Sequence, residues 1–534
     1  MRILIGLLFA AGMADGQVVL RGADFAHYVS EFNRAFPEDL VNAIPDVQAW
    51  AWMQRNVPLF TCPDPDIERT WYYRWWTFRK HIKQTPDGFV VTEFLRPVRH
   101  AGPHNTISCA LGHHLAEGRW LRDRRYLDED LDFWLRKGEQ GGMQRHYHQY
   151  SGWTTWAAYE RWLADGDTKR LVSLLDVLRK DYEQWESERL LPSGLFWQYD
   201  VRDGMEESAS GSRKNKNARP TINSYMFGNA KAIAAIARLA GQAELARVYD
   251  DKANRLRNLV QQSLWNREAQ FFEARLDTGQ LAGVREEIGF TPWLFELPER
   301  GRGFEVAWKQ LMDPRGFLAP YGPTTAEQRH PAYAIREEGD NCQWNGPSWP
   351  FSTSITLTAL ANVLNDYPQR AISVADYFKT FLTYTRSQTL RRPDGSVVPF
   401  IDENLHPQTG EWWARALAMK KGKFQARGDH YNHSTYNDLI ITGVVGLRPR
   451  ADQVVDVNPL LPTGQWDWFC LDNVPYHGRT LTIVWDKTGR RFGAGKGLRI
   501  LADGREIARS PKLRRTTARL DRDSFQGMSR ADEQ

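Results

Sequence analysis

Three stretches of the chain each read as an amphipathic helix, a short polar turn and a second amphipathic helix, and this recurrence limits the fold more than any other feature. WTTWAAYERWLADGDTKRLVSLLDVLRKDYEQWESERL turns at Asp165-Gly166-Asp167, INSYMFGNAKAIAAIARLAGQAELARVYDDKANRLRNLVQQSLW turns around Gly241, and STSITLTALANVLNDYPQRAISVADYFKTFLTY turns between Asn365 and Pro368. A helical hairpin cannot bury its apolar stripe alone, so hairpins at such intervals must stack on one another, as an α-solenoid or as a closed toroid. The stretches 107–137, 286–313 and 432–443 supply further members, roughly ten to twelve helices between residues 100 and 450 in all. The segments between them decide for the toroid. Solenoid linkers are short, whereas 190–220, 315–350 and 390–431 are long and rich in Trp, Gly, Pro and carboxylates, as functional loops are.

After residue 452 the texture changes to alternating strands such as RTLTIVWDKTG and GLRILADGREIA, which predicts a small β-sandwich-like domain. Gly493, Gly495 and Gly497 punctuate hairpins there, since no strand-turn-helix follows them to make a phosphate loop. The expected organisation is a leader at 1–16, an N-terminal helical region at 17–100, an all-α toroid of helix pairs at 101–452, the β-domain at 453–520 and a disordered tail at 521–534. The leader rests on MRILIGLLFAAGMADGQ, with one Arg, an apolar run and small residues near Ala14 and Gly16, too short to span a bilayer. It predicts a periplasmic or secreted protein that leaves the membrane once the leader is removed.

The net charge of +5 is a slight excess of 70 basic over 65 acidic residues, spread rather than striped, so nucleic acid is not implied. Four cysteines without CxxC spacing indicate neither a zinc ribbon nor a disulfide framework. The 22 tryptophans suit stacking on sugar rings as well as filling a core.

The long loops hold the chemistry. YDVRDGMEESASGSR places Asp200, Asp203, Glu206 and Glu207 beside Trp197, and VVPFIDENLHPQTGEWWA holds Asp402, Glu403 and Glu411 beside Trp412 and Trp413. EGDNCQWNGPSWPFSTS carries Trp344 and Trp349 around a Gly-Pro turn that suits the wall of a sugar pocket. Cleaving a glycosidic bond needs a protonated carboxyl group beside the leaving oxygen and a facing carboxylate, and two acidic loops on one rim of a toroid meet that need.

GDNCQWNGPSWP resembles the Gln-Trp-Asp/Arg-x-Pro-x-Trp signature of trehalases and family 63 glucosidases, DGMEES resembles their acid motif, and DENLHPQTGEWWA resembles the loop carrying their general base. The likeness runs over about residues 60–450 with the three motifs in the family order. It implies a clan G glycoside hydrolase, akin also to mannosylglycerate hydrolases, with an (α/α)6 toroid and inversion at the anomeric carbon. Carried over by position, Glu206 is the general acid and Glu403 the general base. Glu206 stands where Asp is usual, which leaves Asp203 or Glu207 as the alternative donor, and Leu405 stands where a Tyr usually follows the base. The residues expected against the sugar are Arg74, Trp75, Glu93, Asn105, Trp197, Asn223, Gln343, Trp344, Gly346, Trp349, Trp412 and His433.

Other polar clusters admit two readings. Arg74, Trp75, Trp76 and His81, and Glu93, His100 and Asn105, line a sugar site or serve as core with satisfied partners. His113 and Glu117, at i and i+4, form a hydrogen-bonded pair or two metal ligands, the former favoured because no third ligand is evident. His430, Tyr431 and His433 precede a helix for which Ser434 is a candidate N-cap. The expected function is an inverting, exo-acting glycoside hydrolase on a carbohydrate substrate, without metal or other cofactor. The alternatives are a non-catalytic carbohydrate-binding toroid, a polysaccharide lyase, and a metal-dependent hydrolase or lyase built on His113, Glu117, His146 and His148.

Overall fold

The computed structural model describes residues 19–338, 341–424 and 426–520; the expected leader and tail lie outside the described residues. After short helices at Ala26–Ala35 and Ala49–Asn56, the helical part runs through α1 (Pro65–His81), α2 (Leu111–Gly118), α3 (Arg125–Arg136), α4 (Thr154–Asp165), α5 (Leu175–Arg189), α6 (Pro220–Leu239) and α7 (Ala243–Ser263). Two 3₁₀ stretches follow, Glu287–Phe295 and Phe304–Met312, where the sequence predicted α-helix; Pro292 inside the first cannot donate to an α-helical ladder. Then come α8 (Pro350–Asp366), α9 (Val374–Ser387) and α10 (Asn437–Leu439), which continues as a π turn over Ile440–Val444.

The packing has a cyclic order. α2 touches α4, α4 touches α6, α6 touches Glu287–Phe295, that stretch touches α8, and α8 and α2 both touch α10. The alternate elements lie against these, α7 on α6, α9 on α8 and α1 beside α9. Sequence accounts for the division. α6 is apolar or small nearly all round and buries most of its length, whereas α7 buries only a stripe, Ala246, Tyr249, Ala253, Leu256 and Val260, at helical spacing. Glycines let neighbours close up: a Cβ on Gly228 would lie 2.2 Å from the Phe295 ring, and one on Gly112 2.2 Å from Trp153. The first predicted hairpin turns as expected, with Gly166 left-handed (φ 72°) at the end of α4 and the Asp167 carboxylate accepting the Arg170 N–H at 3.0 Å.

The C-terminal region is β-rich. With β1 at Leu59–Thr61, β2 at Val454–Val457, β3 at Trp468–Tyr476, β4 at Arg479–Asp486, β5 at Gly497–Ala502, β6 at Arg505–Ser510 and β7 at Thr516–Arg519, the main antiparallel sheet has the order β1-β3-β4-β5-β6, and β7 pairs with β2. Its edge strand β1 comes from the N-terminal segment, with Phe60 opposite Leu471, so the two ends of the chain share one sheet. Three residues are too few for a period to show, which is why the sequence left them in a helical region.

Candidate active site

The first acidic loop starts at Phe196, whose backbone N–H and C=O are both engaged by Asn223 of α6 at 2.8 Å. Asp203 follows a 3₁₀ turn at Asp200–Arg202 and enters the core, where its Oδ2 accepts from Arg219 Nε at 2.7 Å and from the Thr221 hydroxyl; both charged side chains are 0% exposed. Gly204 (φ 69°) then turns the chain outward, and a Cβ there would lie 2.6 Å from Cys109 Sγ. Glu206 is therefore half-buried, just before the positive-φ residue Glu207. The far side of the loop is tied by the Ser210 hydroxyl to buried Glu286.

The second acidic loop buries Glu403 to 3% exposure. Its Oε1 is ion-paired with Arg427 at 2.8 Å, and the Cys342 thiol donates to Oε2 at 3.4 Å. One strip of chain joins the two loops. Cys342 meets Glu403, and two residues on, the Trp344 N–H donates to the Glu206 carbonyl at 3.0 Å. A third carboxyl, Glu93, accepts from the Tyr431 hydroxyl, while its buried Oε2 has no hydrogen-bond partner among the described residues. Burial, reinforced by the charges of Glu403 and Glu206, pushes Glu93 up to about 8. Asp402, beside Glu403, is pushed up to about 7, mainly by burial and then by the Glu403 charge. Asp402, Glu403, Arg415, Lys423 and Arg427 line a cleft of about 320 Å³.

Aromatic rings back the carboxylates. Trp344 and Trp349 stack at 4.4 Å and 16°, 2% and 3% exposed, with Trp349 Nε1 donating to the Gln343 carbonyl at 2.7 Å. His433 lies 6.0 Å from Trp349 and 3.9 Å from Tyr431; its Nε2 donates to the Glu403 carbonyl at 3.2 Å, which leaves Nδ1 bare and buried. Burial holds this imidazole well below its usual range, hence neutral.

Residues 102–434, more than half of the chain, match the mannosylglycerate hydrolase MGH1-like glycoside hydrolase domain. The chain belongs to this family. Residues 447–509 match the C-terminal domain of glycosyl hydrolase family 65. Among solved structures, a protein titled sialidase is 47% identical with a TM-score of 0.89 over 93% of this chain, which spans only 45% of that protein. A family 78 rhamnosidase of a Bacillus species is 15% identical at TM-score 0.55, covering 83% of this chain and 41% of its own. The family 63 mannosylglycerate hydrolase of Thermus thermophilus is 14% identical at TM-score 0.50, covering 69% and 98%. The last two show likeness of fold.

The expected site residues, of which Arg74, Trp75 and Glu93 precede the matched MGH1-like domain, divide by what surrounds them. Glu206, Glu403, Glu93, Trp344, Trp349 and His433 are joined by contacts through the Trp344 N–H, the stacked Trp pair and Tyr431, and of these Glu403 lines the cleft. Most of the others support it from behind. Arg74 is buried, with Nη1 on the Tyr384 hydroxyl and Gln388 and Nη2 on Ser434. Trp75 is fully buried between Trp71 and Phe78, a core residue. Asn105 has both amide hydrogens on the carbonyls of Phe94 and Arg96 and its oxygen on the Val98 N–H, so it closes a loop and offers nothing to a sugar. Asn223 is engaged by backbone, and the Gln343 amide by the backbone of Arg336. Gly346 admits a close approach, since a Cβ there would lie 2.1 Å from the Ala334 carbonyl. Trp412 starts the short helix Trp413–Lys420, its Nε1 on the Thr389 carbonyl at 2.8 Å. Trp197 packs on Tyr199 and lies beneath the cations Arg189 and Lys216.

The His113/Glu117 pair separates. Glu117 accepts the N–H groups of Tyr436, Asn437 and Asp438 at 2.9–3.1 Å and so caps α10, a task the sequence reading gave to Ser434, whose hydroxyl meets Tyr384 instead. His113 packs edge-on against Trp153 and Phe351, and His148 pairs with Asp181 at 2.7 Å. Among the described residues, no three His, Cys, Asp or Glu side chains are grouped to hold a metal ion. Arg427 and Cys342, which pair with the Glu403 carboxylate, are not legible as site residues in the sequence, because neither carries a spacing that relates it to the acidic loops.

Proposed function

We propose that the protein is an inverting, exo-acting glycoside hydrolase in which Glu206 protonates the leaving oxygen and Glu403 takes a proton from the attacking water. The observation that carries this reading is the strip Cys342–Trp344, which ties the Glu206 loop to the Glu403 side chain, with Glu93 sensing the charge of both. Glu206 is favoured over Asp203 as the acid because Asp203 is locked in a fully buried pair with Arg219, out of reach of a substrate, whereas Glu206 is half-buried in the loop that Trp344 ties toward Glu403. Water attacks the anomeric carbon from the face opposite the departing oxygen as Glu403 removes its proton, and the configuration inverts. Glu93, neutral below about pH 8, adds no third charge and has an unpartnered oxygen for a sugar hydroxyl. The stacked Trp344 and Trp349 support the wall of the sugar site.

The cyclic contacts of α2, α4, α6, Glu287–Phe295, α8 and α10, with α7 lying on α6 and α9 on α8, support a six-hairpin (α/α)6 toroid. A cleft of about 320 Å³ is at the small end for ligand sites, which suits a terminal sugar and hence exo action. The proteins resembling this one are named for different sugars, so none of those names transfers. Export through the N-terminal leader is part of the same proposal, and N-terminal sequencing of the mature protein tests it. The function is tested by screening aryl glycosides and oligosaccharides and following the product anomer by NMR. Release of the inverted anomer supports the reading; retention of configuration, or no hydrolysis of any glycoside, overturns it.

A further inference from the structure

A second cavity, of about 180 Å³, lies between the loops 100–107 and 144–150. Its apolar side is formed by Phe133 and Trp134 near the end of α3, and its polar side by His104, Gln144, His146 and Gln149. Rigid aromatic faces beneath amide and imidazole groups match a saturated ring that carries hydroxyls.

Its lining is linked by neighbouring contacts to both acidic loops. On one side stands Tyr150, and the next residue, Ser151, donates its N–H to the Arg202 carbonyl of the acid loop at 2.9 Å. Burial, and after it the charges around it, Glu93 and Glu206 among them, raises the Tyr150 hydroxyl. On the other side His100 meets Phe94 edge-on at 5.7 Å, and Arg427, the partner of Glu403, lies 6.0 Å over the same Phe94 ring. The cavity is thus linked on one side to the loop of Glu206 and on the other, through Phe94, to the partner of Glu403.

We propose that this cavity is the leaving-group arm of the active site and binds the sugar residue on the aglycone side of the scissile bond. The proposal rests on the glycosidase reading above and adds what that reading lacks, a preference for an oligosaccharide over a simple glycoside. Gln144 is the residue through which to test it. Its backbone N–H is held by the Trp134 carbonyl at 2.9 Å, so a larger side chain fills the cavity without removing a structural bond, and exposed His146 offers a second such position.

The probes are a glycosyl fluoride of the terminal sugar, whose leaving atom is too small to enter the cavity, and a disaccharide ending in the same sugar. In Gln144→Trp and His146→Trp, kcat/KM for the disaccharide should fall about tenfold or more while that for the fluoride stays within about twofold. Unchanged thermal melting of either variant shows that the fold is kept. An equal fall on both probes, or no fall on the disaccharide in either variant, overturns the leaving-group arm. A wild-type protein that cleaves neither probe for any sugar tested overturns the glycosidase reading itself, a result distinct from the first two.

Discussion

Replacing Asp203 and Glu206 one at a time by their amides separates a scaffold from a catalyst. Asp203 and Arg219 are 2.7 Å apart with both side chains at 0% exposure, so solvent does not screen the pair. Asp203→Asn leaves a buried guanidinium without its counter-charge, a change that costs about 3–5 kcal/mol. Glu206→Gln is nearly isosteric at a half-buried position and is expected to alter stability by no more than about 0.5 kcal/mol. Urea titration followed by tryptophan fluorescence reads the first quantity, and hydrolysis of paired glycosides with poor and good leaving groups reads the second. Asp203→Asn should shift the unfolding midpoint strongly and, well below that midpoint, keep the wild-type ratio of rates on the two substrates. Glu206→Gln should unfold like the wild type and lose most activity on the poor leaving group while keeping more on the activated one. Adding Arg219→Gln to Asp203→Asn should recover part of the lost stability, because the orphaned charge is then gone. The reasoning fails if Asp203→Asn is as stable as the wild type. It fails equally if Asp203→Asn, rather than Glu206→Gln, shows the leaving-group dependence, for then Asp203 is the acid.

Glu403→Gln should lose activity on both kinds of substrate, and azide should partly restore Glu403→Ala with an azide product of inverted configuration; a retained product would refute the base assignment. Trp349→Ala should cost about 3–5 kcal/mol because the ring is 3% exposed and stacked on Trp344, whereas Trp349→Phe should keep the fold and raise KM; melting of the Ala variant at the wild-type temperature would refute a packed role. Glu287, buried with only the hydroxyls of Ser352 and Thr356 as partners, is pushed up to about 8 by burial. Its folded pKa lies above the unfolded value near 4.5, so its contribution to stability is complete below about pH 4.5 and is lost as pH rises through about 8. Urea midpoints measured between pH 5 and 8 should therefore fall less steeply in Glu287→Gln than in the wild type, and equal slopes would refute this.

Much of the helical part is legible in local sequence. The hairpins at 153–190, 222–265 and 352–384 carry their own 3.6-residue periodicity and their own turn signals, and a turn such as Gly166-Asp167 needs only its neighbours to form. The loops that hold Glu206, Glu403 and the Trp344/Trp349 wall stood out by composition, since helical hairpins do not otherwise need long segments dense in carboxylates and tryptophan. Where periodicity is interrupted, as at Pro292, or too short to register, as at Leu59–Thr61, the local signal fails and distant packing chooses the structure.

The use made of a polar side chain is another matter. Asp203 and Glu206 are three positions apart in one acidic run, yet Gly204 sends one into a buried pair with Arg219 and leaves the other half-buried. Asn105 and Arg74 looked as suited to a sugar as Glu93 does, but backbone carbonyls and buried hydroxyls take up their donors, while Glu93 keeps an oxygen unpartnered. Glu117 became the cap of a helix more than three hundred residues away in sequence, as its bonds to Tyr436, Asn437 and Asp438 record. Periodicity and turn chemistry, set by adjacent residues, belonged to the sequence; which carboxylates are neutralised, which are capped and which face the cleft was decided by the tertiary structure, because the energy of a charge or a hydrogen bond depends on the groups the fold brings to it.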